Sequence, residues 1–258
     1  MTPRRPARRP PAVLLVAPLL VVLATPLLGG HRSAGAQSEA ASGAEAGGQV
    51  EAEQTYLADC ASCHGADGRG TNRGPTLVSV GKASTYYYLS TGRMPIEEPN
   101  AKIDRADPAY SPELIEALVE YVDGFGGGGP DLPHLAPEEA DLGKGGRVYR
   151  AQCASCHTTA GGGGALLRQE APPVYHATPA ETAAAIRVGP GTMPAFGEAA
   201  LTDEELNDVV AYVDYLSSPQ DRGGQPLWHL GPLIEGLVGW VVGMGLLVLL
   251  ALWIGKPT

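Results

Sequence analysis

The chain has 258 residues, a formal net charge of −10 and a hydrophobic fraction of 44%, which is enough for one or two modest folded domains. The excess of acidic residues excludes nucleic acid as a partner, because binding to phosphates depends on lysine and arginine. Glycine and proline are abundant, with 35 and 23 residues, but there are only 2 phenylalanines. Small cores in such a chain need a large apolar group from another source.

The N-terminal segment has the layout of an export signal. Four arginines within the first nine residues precede an apolar run over residues 12–28, and the small residues 34–36 follow. This order of positive, apolar and small residues is typical of a signal peptide. An uncleaved membrane anchor is the alternative, but two prolines inside the run favour the signal. We assign residues 1–36 to a signal peptide or N-terminal membrane segment and residues 37–49 to a flexible tether.

The middle of the chain is an internal duplication. The letters CASCH occur at residues 60–64 and 153–157 and contain all four cysteines. A tyrosine, Tyr56 or Tyr149, precedes the first cysteine of each motif at the same spacing, and a Gly-x-Met-Pro segment follows each motif. Landmarks in a fixed order with loops of different length predict two small domains of the same fold.

Three kinds of site use all or part of a Cys-x-x-Cys-His motif. A zinc ribbon needs two cysteine pairs close together in the chain, whereas these pairs belong to separate repeats. A thioredoxin-type dithiol needs no adjacent histidine. Covalent haem attachment uses every letter, because two thiols add to the haem vinyl groups and the next imidazole reaches the iron. The motifs therefore predict two covalently bound haem c groups, attached at Cys60, Cys63, Cys153 and Cys156.

Each haem iron then needs two axial ligands. His64 and His157 complete the motifs and supply the first ligand. Met94 and Met193 occur once in each repeat, each before a proline, a regularity that methionine as a core filler does not predict. We predict them as the second ligands, with His176 as a weaker alternative to Met193. Ligation by histidine and methionine closes the iron to substrates and suits electron transfer.

Each repeat ends in a predicted helix, over residues 111–125 and 202–216. The first begins with a serine cap and a first-turn proline, Pro112, and the second with a capping box formed by Thr202 and Glu205. Apolar residues recur every three to four positions in both. These helices predict a largely helical fold with one stripe of each helix against a core.

The C-terminal segment reads as a transmembrane helix. Leu237–Ile254 holds 18 residues without a charge, which is near the length that spans a bilayer. Lys256 follows the run, and the positive-inside rule then places the acidic domains outside. Gly239 and Gly243 form a GxxxG pair, which lets another helix approach closely.

The predicted fold is mainly α, with two tandem cytochrome c-type haem domains and one C-terminal transmembrane helix. After the tether we place the first haem domain, a linker with several prolines, the second haem domain, a juxtamembrane segment, the transmembrane helix and a cytoplasmic tail. Their boundaries are 50–129, 130–142, 143–220, 221–229, 230–255 and 256–258.

Each repeat resembles a small monohaem cytochrome c domain in its tyrosine-bearing helix, CxxCH motif, proline-bearing loop, Gly-x-Met-Pro segment and final helix. In that family a proline carbonyl after the haem motif accepts a hydrogen bond from the ligand histidine. The resemblance implies this role for Pro75 in the first repeat and for Pro172 or Pro173 in the second.

The whole chain resembles the dihaem cytochrome c subunit of actinobacterial quinol–cytochrome c reductases, the cytochrome bcc complexes. The resemblance implies an electron-transfer subunit with no substrate chemistry of its own, in a complex that oxidises menaquinol. Its partners would be the cytochrome b subunit, the Rieske iron–sulfur protein as donor, and cytochrome c oxidase as acceptor. The protein would lie in the cell membrane, with its haem domains on the extracytoplasmic side.

Two alternatives share the haem motifs. A dihaem subunit of a periplasmic dehydrogenase, or a membrane-tethered carrier, would have the same four cysteines and two methionines, and only the C-terminal anchor favours the reductase. A dihaem peroxidase is a different class, because it needs one iron open to peroxide. The two predicted methionine ligands argue against it.

Overall fold

The computed structural model describes residues 47–99, 101–166, 169–220 and 232–255. The predicted export segment, most of the tether, the juxtamembrane segment and the cytoplasmic tail lie outside the described residues. The small, polar composition of residues 37–49 predicted a flexible tether, whereas residues 47–49 lie in the first helix.

The first repeat contains four α-helices. The first, α1, covers residues 47–55 and continues through a π-helical turn at Tyr56–Cys60 into α2, Ala61–His64. A loop leads to α3, Lys82–Ser90, and a second loop leads to α4, Pro112–Asp123. The haem motif therefore lies at the end of one nearly continuous helical segment.

The second repeat follows the same order. A 3-10 turn at Pro137–Glu139 precedes α5, Leu142–Gln152, and α6, Ala154–His157. The helices α7 and α8 follow at Pro179–Val188 and Asp203–Ser217. A short antiparallel hairpin stands between α6 and α7, with β1 at Gly164–Leu166 and β2 at Gln169–Ala171, and Gly164 pairs with Ala171. This hairpin was not predicted, because three-residue strands have too little alternation to be visible in a sequence.

The helices predicted at the ends of the two repeats are confirmed, with their caps. The Ser111 hydroxyl accepts a hydrogen bond from the Leu114 amide at 3.3 Å, and Pro112 is the first residue of α4. Thr202 and Glu205 form a complete capping box at α8. Both helices bury one aliphatic stripe, which includes Leu118 in α4 and Leu206 in α8, each at most 1% exposed.

Two separate cores result, one in each repeat. In the second repeat, α5 and α8 approach so closely that a side chain at Gly145 would lie 2.0 Å from the Asp208 carbonyl oxygen. Only glycine allows this contact, and it brings Tyr149 on α5 within 5.5 Å of the Tyr212 ring on α8, centre to centre. In the first repeat, the Tyr56 ring packs at 5.0 Å from that of Phe125.

The predicted linker, residues 130–142, is attached to both repeats. The Pro130 carbonyl accepts a hydrogen bond from the Ala83 amide at 3.1 Å. Asn207 on α8 exchanges two hydrogen bonds with the backbone of Ala136, at 2.8 and 2.9 Å. The Asp208 carboxylate accepts from the Asp141 amide at 2.7 Å. The connection is therefore docked at both ends and in its middle.

The two repeats also pack directly on each other through α3 and α7. Ala83 and Tyr87 on α3 and Ala184 on α7 form one buried cluster. Both alanines are fully buried. The small side chains on α7 leave room for the rings of Tyr86 and Tyr88 on α3. The sequence did not predict these helices or their contact.

An ion pair joins the repeats beside this cluster. The Arg105 guanidinium in the first repeat donates to both carboxylate oxygens of Glu181 on α7, at 2.8 and 3.1 Å. The Glu181 side chain is only 5% exposed. Glu181 also accepts from the Thr178 amide and thereby completes the capping box of α7. One carboxylate thus fixes a helix start and the interdomain contact.

We expect Arg105→Gln to lower the free energy of unfolding by about 2 kcal/mol, because it leaves a buried carboxylate without its cation. Lys102→Gln is the matched control, since Lys102 pairs with Asp104 but is 86% exposed, and exposed pairs contribute less than about 1 kcal/mol. Thermal unfolding of the haem-loaded protein measures both. Equal stability of the two variants would show that the Arg105–Glu181 pair does not hold the interface.

The helix α9, Pro232–Ile254, differs from the other helices because it is apolar and exposed along its length. Its segment Ile234–Ile254 has 21 residues, a mean hydropathy of 2.5 and no buried residue. Trp240 and Trp253 are 67% and 72% exposed. In the part of the chain that the structure describes, α9 is the only helix long and apolar enough to cross a membrane.

Candidate haem-binding sites

Each CASCH motif sits at a helix turn that carries the two cysteines and the histidine. In the first repeat the π-helical turn ends at Cys60, and α2 carries Cys63 and His64. In the second, Cys153 lies between α5 and α6, and α6 carries Cys156 and His157. All four thiols are free and partly buried. Burial raises the pKa of Cys60 and of Cys153 to about 11, so both are neutral thiols in the polypeptide at pH 7.

Both motif histidines are oriented by a proline carbonyl. His64 Nδ1 lies 2.8 Å from the Pro75 carbonyl oxygen, and His157 Nδ1 lies 2.9 Å from that of Pro172. A carbonyl can only accept, so Nδ1 carries the proton and Nε2 is left with a free lone pair for a metal. The expected role of Pro75 is confirmed, and the choice in the second repeat falls on Pro172 and not on Pro173.

Two equivalent buried tyrosines are hydrogen-bonded to the residue that follows each motif. Tyr56 is fully buried and donates from its hydroxyl to the Gly65 carbonyl at 2.7 Å. Tyr149, 1% exposed, makes the same bond to the Thr158 carbonyl at 2.9 Å. Gly65 and Thr158 each follow the motif histidine, with φ of 80° and 64°. The duplication therefore extends to individual hydrogen bonds.

The two methionine loops share a left-handed glycine, although the Met94–Pro95 peptide bond is cis and the Met193–Pro194 bond is trans. Gly92 and Gly191, two residues before each methionine, have φ of 62° and 65°. At Gly92 a side chain would lie 2.4 Å from the Ala106 carbonyl oxygen, so glycine is required there. Met94 packs against the core that holds Cys60, and Met193 against the core that holds Cys153. Each predicted methionine thus shares a core with the haem motif of its own repeat.

Among the residues that the structure describes, the other histidines and methionine do not share these cores. Met244 is 44% exposed on α9. His134 and His176 are exposed, and the exposure of His176 favours Met193 over it as a ligand. His31 and His229 lie outside the described residues.

Sequence reasoning missed a residue that holds the second methionine loop. Arg187 on α7 is 7% exposed and donates to the carbonyls of Phe196 and Leu201, at 2.9 and 2.7 Å. It also pairs with the Asp203 carboxylate. These bonds close the loop that contains Met193. The basic residue at the end of a helix was visible in the sequence, but its partners, up to 16 residues away, were not.

An apolar cleft beside Cys153 tests whether this repeat fits a haem. Apart from Cys153 and Gln152, its lining is apolar, with side chains from α5, α7, α8 and the methionine loop: Val148, Ile186, Phe196, Leu201 and Val209. An apolar macrocycle attached at Cys153 would have apolar neighbours on this side. The donor set of two thiols, an imidazole and a thioether is also that of a haem c site. The residues present therefore fit the group.

These features define the class of protein: a tandem cytochrome c with two haem-binding domains and one apolar C-terminal helix. Residues 49–125 match the family model described as Cytochrome c. Residues 140–213 match the model described as Cytochrome C oxidase, cbb3-type, subunit III. The helical fold with two cytochrome c-type domains is confirmed.

Curated relatives match across both domains. The cytochrome bc1 complex cytochrome c subunit of Mycobacterium bovis is 38% identical over 212 residues, which cover 79% of this chain and 76% of the relative. The subunit of the same name from Corynebacterium diphtheriae is 36% identical over 225 residues, 80% of each chain. Cytochrome c6 of Leptolyngbya boryana, 36% identical over 78 residues, covers only 29% of this chain. The chain belongs to the family of cytochrome bc1 complex cytochrome c subunits, as its resemblance predicted.

Proposed function

We propose that this chain relays electrons within a membrane-bound quinol–cytochrome c reductase, from the Rieske iron–sulfur protein to cytochrome c oxidase. The observation that carries the proposal is the pair of equivalent sites, each with two thiols, an oriented imidazole and a thioether, in domains that pack directly together. Membership in the cytochrome bc1 complex family supports the reductase over the dehydrogenase subunit and the tethered carrier.

The residues that would hold the two groups are supported by the two matched motifs. Cys60 and Cys63 would attach one haem c, and His64 and Met94 would bind its iron. Cys153, Cys156, His157 and Met193 would hold the second haem c in the same way. When bound, each haem supplies one-electron redox chemistry at its iron.

The protein's own residues prepare this chemistry. Pro75 and Pro172 fix the histidine tautomer and ring orientation, which also makes each imidazole a better ligand. With Met94 and Met193 also bound to iron, neither haem would have an open position for a substrate. We infer that the chain transfers electrons and performs no substrate chemistry of its own.

The apolar helix α9 determines the proposed location and orientation of the protein. We infer that α9 spans the cell membrane with Lys256 on the cytoplasmic side, which puts both haem domains on the extracytoplasmic side. At Gly239 and Gly243 the space that a side chain would occupy has no neighbouring atom within 4 Å, so the two glycines offer a small-residue face to a helix of the cytochrome b subunit.

Purification in mild detergent tests the proposed complex. We expect the chain to co-purify with a cytochrome b subunit and a Rieske protein, and the complex to show two haem c for each copy of this chain. Quinol should reduce these haems, and a cytochrome c oxidase should oxidise them. Co-purification with a periplasmic dehydrogenase and no cytochrome b would support the alternative function.

We expect Met94→His or Met193→His to lower the reduction potential of its own haem far more than that of the other. A thioether favours ferrous iron relative to a second imidazole. A potentiometric titration followed by visible spectroscopy resolves the two haems, and Met244→Leu is the control because Met244 lies on α9. Two unchanged waves after either histidine substitution would contradict methionine ligation.

A further inference from the structure

Arg93, the residue immediately before Met94, has a guanidinium that is partly enclosed in the first domain. Its Nη1 atom is buried and has no hydrogen-bond partner among the described residues. The guanidinium carbon lies 5.0 Å from the centre of the Tyr87 ring, which is a cation–π distance. Arginine keeps its proton in proteins, so its burial calls for a partner that accepts hydrogen bonds.

The backbone fixes Arg93 in this place. Its amide and that of Met94 both donate to the Tyr88 carbonyl, each at 3.0 Å. The Ala106 amide donates to the Thr91 carbonyl at 3.1 Å and closes the loop from the other side. Arg93 and Met94 are therefore adjacent residues of one constrained loop. A haem bound by Met94 would lie against the loop that carries this cation.

The acidic residue of the facing helix is already engaged. Both carboxylate oxygens of Glu181 accept from Arg105, and one also accepts from the Thr178 amide. Its charge is compensated within the interdomain contact. The unpartnered atom of Arg93 thus needs an acceptor that the described residues do not supply.

We propose that Arg93 is the charge partner of a propionate of the haem in the first domain, and that it raises the reduction potential of this haem. The inference rests on the proposed function, since it needs haem at Cys60 and Cys63. Haem brings two carboxylates into the site, and a planar guanidinium binds a carboxylate through two parallel hydrogen bonds. A cation beside the group favours the ferrous iron, which carries one positive charge fewer than the ferric iron.

The second repeat lacks this cation. Thr192 stands directly before Met193, where the first repeat has Arg93, and its side chain is uncharged and exposed. The two sites match in their thiols, proline carbonyls, tyrosines and left-handed glycines. The buried arginine of the second methionine loop, Arg187, already pairs with the Asp203 carboxylate. Arg93 is therefore a built-in electrostatic difference between two equivalent haem sites, and it acts as a positioning residue for the propionate.

The experiment uses the full-length, haem-loaded chain. Arg93→Gln removes the charge, Arg93→Lys keeps it without the planar fork, and Lys102→Gln removes an exposed charge as a control. The pyridine haemochrome assay counts haems, and a potentiometric titration measures both waves. Met193→His assigns the waves, because it moves that of the second domain. We expect Arg93→Gln to shift the ferrous-to-ferric ratio of the first haem about tenfold toward ferric at its former midpoint.

The second wave and the haem count of two should not change, Arg93→Lys should retain most of the original potential, and Lys102→Gln should leave both waves in place. If an Arg93→Gln protein with two haems had the reduction potentials of the parent, the inference would be overturned. A shift in the potential of the second haem alone would also overturn it. An Arg93→Lys protein with the full loss would overturn the charge-based account. A parent chain without covalent haem would instead refute the proposed function.

Discussion

Replacement of Cys153 and Cys156 by alanine should remove one of the two covalent haems and unfold the second domain. The side chains beside Cys153 form an apolar cleft between α5, α7 and α8, and a macrocycle attached at Cys153 would add its apolar surface to the small core of this domain. The small core that remains is a poor basis for stability. Haem-stained gels and the pyridine haemochrome assay should show half the haem of the parent. Limited proteolysis should cut within α5 to α8.

Ser155→Ala is the matched control, because Ser155 lies between the two cysteines and is exposed. It should keep two haems and full resistance to protease. The equivalent pair of changes at Cys60 and Cys63 should remove the first haem in the same way. A double-cysteine variant that still carries two covalent haems would disprove attachment at these residues.

Truncation after Arg222 should release a fragment that is soluble, holds two haems and has a normal visible spectrum. No predicted haem ligand lies beyond Met193. Quinol-driven oxygen uptake in membranes should nevertheless fall by roughly tenfold or more, because a tether keeps its domains at a high effective concentration beside their partners. Oxygen electrode measurements at native expression levels test this. Full activity with the fragment would favour a mobile carrier.

Point changes within α9 separate membrane anchoring from subunit contact. Gly239→Leu combined with Gly243→Leu should keep the chain in the membrane but weaken its co-purification with cytochrome b, since bulky side chains prevent close helix packing. Gly245→Leu is the control on the opposite side of the helix and should have little effect. Equal co-purification of the double variant and the Gly245→Leu control would show that the glycine pair is not the contact.

The sequence predicted those features that depend on local pattern. The caps of α4 and α8 could be read because a capping side chain lies within three residues of its partner. The haem motif could be read because its chemistry requires five adjacent residues. Pro75 followed from the family resemblance. The predicted caps and the Pro75 contact agree with the structure, although the π-helical turn that ends at Cys60 was not expected.

The features that were missed depend on contacts between distant residues. Arg105 and Glu181 are 76 residues apart, and nothing in either neighbourhood marks them as partners. The cap of α7 was visible, since Thr178, Pro179 and Glu181 form a capping box with a first-turn proline. The helix was missed because its buried face consists of alanines and has no pattern of large apolar residues. The tyrosines that pack against this face belong to the other domain.

The contact between α3 and α7 joins two helices that occupy the same place in their repeats, each between a haem motif and a methionine loop. Equivalent surfaces meet in this way in a two-fold symmetric dimer, in which both subunits must present identical residues. Gene fusion removes that requirement. Here one helix presents tyrosines and the other presents alanines, so large side chains pack against small ones. Two identical copies of a single domain could not have formed this contact with the same pair of faces.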